Sequence, residues 1–313
     1  MILIPEFIVT YLFILNFSKN IIINKINYKY VLYFLIVLSV LYLITYFDNS
    51  EKTGKRKLKF FDDFFLFKMV RKFFNIKYSG NVKELQRVLK NKEQGAIIAG
   101  HPHGILSMGS CYGFKNSKMF EQKDLYCAMF PFIFKLPVVR DLCLAVGGID
   151  CRKNIIEDFL NRNKKVGIAP GGSRGISCSN RYYLDMILKN EGFIKLCWEH
   201  NSVLIPLFIE GENRIFQQIS FISIQNFFYK LIRYHFPVIF YGPLSTNLTL
   251  HIGKPLYPKN FDNYEDFRKK YWKRLFTIIH KNEKGPIKGE LLKKMREYGF
   301  KINNKKREKY VLL

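Results

Sequence analysis

The apolar residues of this chain follow two patterns. In the first fifty positions they run almost unbroken. Residues 1–17 are mostly apolar, interrupted by Pro5 and Glu6, and Tyr30 to Phe47 holds no charged residue. As a helix, Tyr30–Phe47 is about 27 Å long, close to the thickness of a bilayer's hydrocarbon core. Its length and uniform apolarity predict a membrane span over a buried soluble helix. Residues 1–17 fit a secretory leader poorly, since no Lys or Arg precedes the apolar run and no small-residue cleavage site follows it. They predict either a second crossing, which makes a hairpin, or a shallow re-entrant segment.

Beyond residue 95 the apolar runs are short and alternate with amphipathic stretches. Residues 95–100, 125–129, 166–169, 203–209 and 248–252 read as buried strands; 81–92, 152–163, 188–200 and 263–282 read as helices. This alternation predicts an α/β fold, a mostly parallel central sheet flanked by helices, preceded by an N-terminal hydrophobic membrane anchor. No internal repeat is visible. Between anchor and sheet, Phe60, Phe61, Phe64, Phe65 and Phe67 recur at roughly helical spacing among Lys, Arg and Asp. Two readings fit: an amphipathic helix on the membrane interface, or a helix that packs its rings into the core.

Charge separates two function classes. The 313 residues include 51 Lys+Arg and 25 Asp+Glu, for a net +26, together with 16% aromatics. The apolar content excludes a disordered basic protein. A charge this positive suits nucleic acid or an anionic membrane surface. Its distribution favours the membrane, and no nucleic-acid partner is expected. Residues 51–94 carry 13 Lys/Arg against 5 Asp/Glu, and the stretch from Lys281 onward carries 11 against 4. The first cluster keeps its side of the anchor cytosolic, and both fit anionic headgroups. The predicted division is a membrane anchor (1–50), a basic interfacial segment (51–94), a catalytic domain (95–283) and a solvated or lipid-surface basic tail (284–313). The six cysteines stand singly without a CxxC pair, so neither a thiolate zinc site nor a disulfide framework is expected. No metal is implied.

Two strand ends carry unusual sequences. His101-Pro102-His103-Gly104 follows the run at 95–100. A histidine between a strand end and a helix start is kept neutral by the helix N-terminus and can act as a general base. The alternative is a pair of structural histidines. Pro170-Gly171-Gly172-Ser173-Arg174-Gly175 follows the run at 166–169. Its glycines free backbone amides for an anion, and Arg174 adds a forked cation. The alternative is an ordinary loop. Together the two suggest transfer of a group from an anionic donor to a hydroxyl, with the histidine taking the proton. No GxxxxGK[ST] and no GxSxG is present, which argues against a P-loop phosphotransferase and an ordinary α/β-hydrolase. His200, His235, His251 and His280 have no motif around them and are assigned to structure or surface.

In order, GHPHGILSMG (100–109), LPVVRDLCLAVGGIDCRKN (136–154), PGGSRG (170–175), NEGFIKLCWEHNSVLIPLFIEGEN (190–213) and HIGKPLYP (251–258) resemble the type-2 diacylglycerol and monoacylglycerol acyltransferase family, over roughly residues 30 to 283. The resemblance implies acyl-CoA-dependent acylation of a neutral lipid alcohol, diacylglycerol first. Acyl-CoA would be a co-substrate, and no cofactor is expected. It also implies a bilayer partner, and residence in the endoplasmic reticulum membrane or on lipid droplets with the catalytic part facing the cytosol. It marks His101 and His103 as catalytic. It makes Gly104, Arg140, Pro170, Gly171, Gly172, Ser173 and Arg174 substrate-binding candidates. The wider superfamily places an Asp five residues after its histidine. Here those positions are Leu106 and Met108, so the carboxylate partner must come from elsewhere, with Glu212 favoured over Glu210 and Asp141. Related loops also carry a Glu where Gly171 and Gly175 stand. The alternatives are therefore a different acceptor (monoacylglycerol, lysophospholipid, long-chain alcohol or sterol) or a weakened, non-catalytic membrane protein of the same fold.

Overall fold

A computed structural model describes residues 28–58, 60, 64–115, 118–120, 123–218, 229–230, 234 and 237–307. The expectation for residues 1–17 lies outside them, as does the last stretch of the tail. The chain divides into two units, 1–49 and 50–313.

In the first unit, helix α1 (Tyr28–Tyr46) is long and apolar enough to cross a membrane. Its Ser and Thr hydroxyls are satisfied within the helix: Ser39 Oγ donates to Leu35 O and Thr45 Oγ1 to Tyr42 O, each at 2.8 Å. Polar side chains in an apolar medium require such internal partners.

The second unit is built on a seven-stranded sheet. Its strands are β1 (Lys77–Gly80), β2 (Ala96–His101), β3 (Leu125–Met129), β4 (Gly148–Asp150), β5 (Lys165–Ile168), β6 (Val203–Glu210) and, after a two-stranded ribbon of β7 (Gln217–Gln218) and β8 (Ile239–Tyr241), β9 (Thr249–Ile252). The order is β1-β9-β6-β2-β5-β3-β4. Strands β6, β2, β5, β3 and β4 run parallel; β9 is antiparallel to β6 and parallel to β1. The five strands read from the apolar runs are all present.

Alternation along the central strands feeds two cores. Ile97 and Ala99 of β2, with Leu204 and Phe208 of β6, join one cluster; Ala96 and Ile98, with Val203, Ile205 and Leu207, join the other. Helices α2 (Phe65–Phe73) and α3 (Val82–Lys90) precede β2; α3 buries Leu85, Val88 and Leu89 at helical spacing in the second cluster. Next come α4 (Met108–Tyr112), α5 (Val139–Ala145), α6 (Lys153–Asn161), α7 (Gly172–Ser177), α8 (Gly192–Glu199), α9 (Tyr264–Asn282) and α10 (Gly289–Glu297). Helix α9 is capped by Asn263, whose side chain accepts from Asp266 N, and it buries Phe267, Tyr271, Trp272, Leu275, Phe276 and Ile279 in the first cluster.

The basic tail is not solvated throughout. Ile287, Leu291 and Met295 are fully buried in the first cluster, and Ile287 bridges to Leu184. Lys294 pairs with Glu191, which also accepts from Trp272 Nε1 at 2.8 Å. Apolar residues four apart put one face of α10 on the core while Lys293 and Arg296 face outward. Net charge hid that stripe.

Candidate active site

Strands β6, β2 and β5 are neighbours, so their carboxyl ends lie at one edge of the sheet. The register opposes His101 to Phe208 and Ala99 to Ile168. The segments that follow, His101–Gly104, Pro170–Gly175 and Gly211–Asn213, therefore emerge side by side. Parallel sheets offer their ligand crevice at this place.

The two histidines separate sharply. His101 is 2% exposed; its Nε2 lies 2.9 Å from the Tyr271 hydroxyl, and its ring sits among Phe193, Tyr271 and Trp272. Burial drives its pKa down to about 3, so it is neutral and packed inside. His103 is only part-buried. Its Nδ1 lies 3.0 Å from Gly104 O. A carbonyl oxygen only accepts, so Nδ1 carries the proton and Nε2 keeps its lone pair. Burial also lowers the His103 pKa, against two backbone hydrogen bonds that raise it. His103 thus has the tautomer of a general base, whereas His101, which the resemblance also marks as catalytic, is enclosed in an aromatic box.

The turn that carries His103 is tied at several points. Gly104 has φ +63°, and a Cβ there would lie 2.7 Å from Glu212 Cγ, so glycine is required. Ser107 holds the left-handed conformation at φ 49°, which non-glycine residues rarely adopt, and its Oγ donates to His103 O at 2.8 Å. Glu212 is 2% exposed and accepts from Met108 N and Gly109 N, each at 2.7 Å. Burial raises its pKa to about 7 despite those two bonds.

Glu212 was expected to pair with the histidine. Its oxygens are instead taken by the first amides of α4, and the histidine's Nδ1 is taken by Gly104 O. Met108 is the position five after His103, where the wider superfamily has an Asp. A carboxylate therefore does reach that turn, but from the end of β6. The other expected partners are engaged elsewhere. Asp141 pairs with Arg56 at 2.7 Å, and Glu210 Oε2 lies 3.0 Å from His251 Nε2, whose Nδ1 is 2.5 Å from Ser79 Oγ. That Ser–His–Glu chain had no sequence motif; the parallel pairing of β1 with β9 and the antiparallel pairing of β9 with β6 create it.

The glycine loop packs on the histidine. A Cβ on Gly175 would lie 2.9 Å from His103 Cβ, and one on Gly171 at 3.7 Å. The segment is not an open nest: Gly172 N donates to Ala169 O and Gly175 N to Gly171 O, closing the first turn of α7. Pro170 O accepts from Asn190 Nδ2 at 3.3 Å, Ser173 is part-buried, and Arg174 is exposed with Nη2 2.7 Å from the Tyr229 hydroxyl. Arg140 stands apart from these turns. It is 1% exposed on α5 and paired with Glu51 at 3.1 Å, which is a structural ion pair rather than the substrate contact expected of it. Asn213 follows Glu212 in the same turn. It is 5% exposed, and among the described residues neither Nδ2 nor Oδ1 has a hydrogen-bond partner. Buried amides are ordinarily hydrogen-bonded, so this one is an exception. Among the described residues no three metal-ligating side chains converge.

The family model described as diacylglycerol acyltransferase matches residues 26–255. Mouse diacylglycerol O-acyltransferase 2 is 26% identical over 235 residues, covering 66% of this chain and 59% of that protein. The Dictyostelium discoideum diacylglycerol O-acyltransferase 2 is 28% identical over 183 residues, 56% of this chain and 53% of that one. The chain thus spans less than two thirds of the length of these relatives. Among solved structures, the 1-acyl-sn-glycerophosphate (LPA) acyltransferase PlsC from Thermotoga maritima is similar at 16% identity and a TM-score of 0.43, over 80% of this chain and 95% of that one. Since the family model takes in the whole sheet edge that carries the two histidines, the glycine loop and Glu212, this chain belongs to the diacylglycerol acyltransferase family.

Proposed function

We propose that this protein is a membrane-bound acyltransferase that moves a fatty acyl group from acyl-CoA to the hydroxyl of diacylglycerol. One observation carries the reading: His103 at the edge of β2, with its Nδ1 proton held by Gly104 O and its Nε2 left to accept a proton. Family membership supports the reaction class, and α1 supports the membrane. The acceptor hydroxyl gives its proton to His103 Nε2 as its oxygen attacks the thioester carbonyl. The tetrahedral intermediate collapses, the carbon–sulfur bond breaks, and the imidazolium returns the proton to the leaving thiolate. Arg174 offers a guanidinium for the donor's phosphates. Glu212 and Ser107 act as positioning residues that hold the turn. The membrane is that of the endoplasmic reticulum or a lipid droplet, with residues from 50 onward on the cytosolic side. The basic run at 51–94 supports that orientation.

The test is incorporation of labelled acyl chains by membranes containing the protein, run across diacylglycerol, monoacylglycerol, lysophospholipid, long-chain alcohol and sterol. Labelled triacylglycerol that disappears in His103→Ala is the expected result. Binding of acyl-CoA without any ester product overturns it.

A further inference from the structure

Helix α2 has two faces with different surroundings. Its inner side, Val70 with the following Phe74, packs into a small cluster with Ile105, Met108, Ile176, Ile215 and Leu248. Ile105 and Met108 follow the His103 turn, Ile176 the glycine loop and Ile215 the Glu212 turn. Phe67 adds a ring contact to Tyr112 of α4 at 5.4 Å between centroids. Helix α2 is therefore a roof over the site's three turns. Its outer side is apolar and bare: Phe65 is 58% exposed and Met69 60%, with Leu66 and Phe73 at 47% each. At 100° per residue these four occupy a stripe of about 100°, bordered on one flank by the exposed Lys68 and Lys72.

We propose that this stripe docks the catalytic unit onto an anionic phospholipid bilayer. Three observations choose the occupant. A stripe of four half-exposed side chains on a nine-residue helix offers on the order of 400 Å², about half of what one partner contributes to a stable protein interface. Lysines beside an apolar stripe match the arrangement of helices that lie in the headgroup region, where each cation near an anionic surface adds binding. Only residues 47–64 separate α1 from α2 in sequence, so a chain anchored by α1 keeps α2 within tether reach of that surface. Docked this way, the roof of the site lies in the headgroup layer, and a lipid alcohol reaches the His103 turn without crossing water. The membrane contact rests on the geometry of α2; the delivery of an alcohol to His103 rests on the acyltransferase reading.

The full chain is reconstituted in vesicles, where α1 already holds it, so depth and not binding is the readout. Met69→Trp reports on the stripe and Lys270→Trp, exposed on α9, serves as control. The emission of Trp198 and Trp272, measured in the unsubstituted chain, is subtracted. With brominated phospholipids, the Met69→Trp reporter is expected to lose half or more of its emission and the Lys270→Trp control little, while aqueous iodide shows the reverse. When Lys68→Glu and Lys72→Glu are added to the reporter, its bromolipid quenching on phosphatidylserine-containing vesicles is expected to fall to the level seen on pure phosphatidylcholine. Iodide quenching of the reporter equal to that of the control, without bromolipid quenching, overturns the proposal. Protection of the reporter from both quenchers also overturns it, since protein then covers the stripe. Quenching by bromolipid in a chain that makes no ester leaves the docking standing and sinks the acyltransferase reading; ester synthesis with the reporter in water does the opposite.

Discussion

His101 and His103 are separated by one proline and sit in opposite environments. The first closes a strand whose side chain enters an aromatic box on α8 and α9. The second begins the turn out of the sheet, half-open, with one ring nitrogen committed and one available. The same side-chain type is thus enclosed by aromatic rings on one side of Pro102 and, in the proposed mechanism, accepts a proton on the other. Substitutions that act on one histidine and spare the other test that division.

The largest effect is expected from His103→Ala. Loss of a positioned general base costs about 10²–10⁴-fold in turnover, so labelled ester should fall by that factor while the thermal midpoint stays near that of the parent. A variant that retains parental turnover removes His103 from the chemistry.

The clamp under the turn comes next. Glutamine at 212 keeps one acceptor oxygen and turns an amide donor toward a backbone N–H, so one of the two bonds to Met108 and Gly109 is lost. Turnover of Glu212→Gln should drop about 10-fold to 100-fold, the scale of a slightly misplaced base. The pH profile distinguishes positioning from packing. As pH falls through about 7 the parent's Glu212 takes up a proton, and the clamp weakens; below 6.5 His103 protonates and the rate falls again. The variant should lose the first step and keep the second. Stability runs the other way. The folded carboxyl holds its proton up to about 7, while its ordinary value is 4.5, so its contribution to stability is full below 4.5 and declines as pH rises through 7. The ionised clamp that serves catalysis is the one the fold tolerates least. A parental pH–rate profile in Glu212→Gln rules out the clamp.

Much of this was legible in the chain. The five long or apolar strands announced themselves because buried parallel strands must be continuously apolar, and the turns HPHG and PGGSRG were visible by composition. Two strands of the seven-stranded sheet were not: β1 (Lys77–Gly80) is polar and sits at a sheet edge, and β4 (Gly148–Asp150) is three residues long. The division of labour between the histidines was also hidden, since it depends on Tyr271, 170 residues downstream. Glu212 was favoured as the partner of the histidine; its oxygens accept from Met108 N and Gly109 N instead, and sequence cannot say that Gly104 O already holds the histidine. Arg140 had a motif-like setting but faces Glu51.

Tyr271→Phe probes the other half of the comparison. It removes the hydroxyl next to His101 Nε2 and leaves a buried ring nitrogen without its partner, at a cost of about 1–3 kcal/mol. The thermal midpoint should fall, and turnover per folded molecule should stay within about twofold, since a group that only fills the box contributes nothing to the 10²-fold scale of acid–base catalysis. A fall in turnover matching His103→Ala, with an unchanged midpoint, would put His101 back into the chemistry.

The smallest effect concerns Asn213, beside the clamp. Its two amide atoms are buried without partners among the described residues, and each unpaired atom costs about 1–3 kcal/mol. If the Asn213 amide contacts bound substrate, replacing it separates binding from chemistry. Leucine has nearly the same shape and no polar atoms, so Asn213→Leu removes the penalty and the contact together. The free protein should melt at the same temperature or higher, and KM for one substrate should rise about 3-fold to 10-fold with kcat little changed. That split is the discriminating readout. A structural amide would lower the midpoint and leave KM alone, whereas an amide that acts on His103 through Glu212 would lower kcat. Asn213 therefore carries the comparison of the two histidines to a third residue: the measurement shows whether a buried polar side chain on this edge of the sheet supports the fold or contacts the substrate.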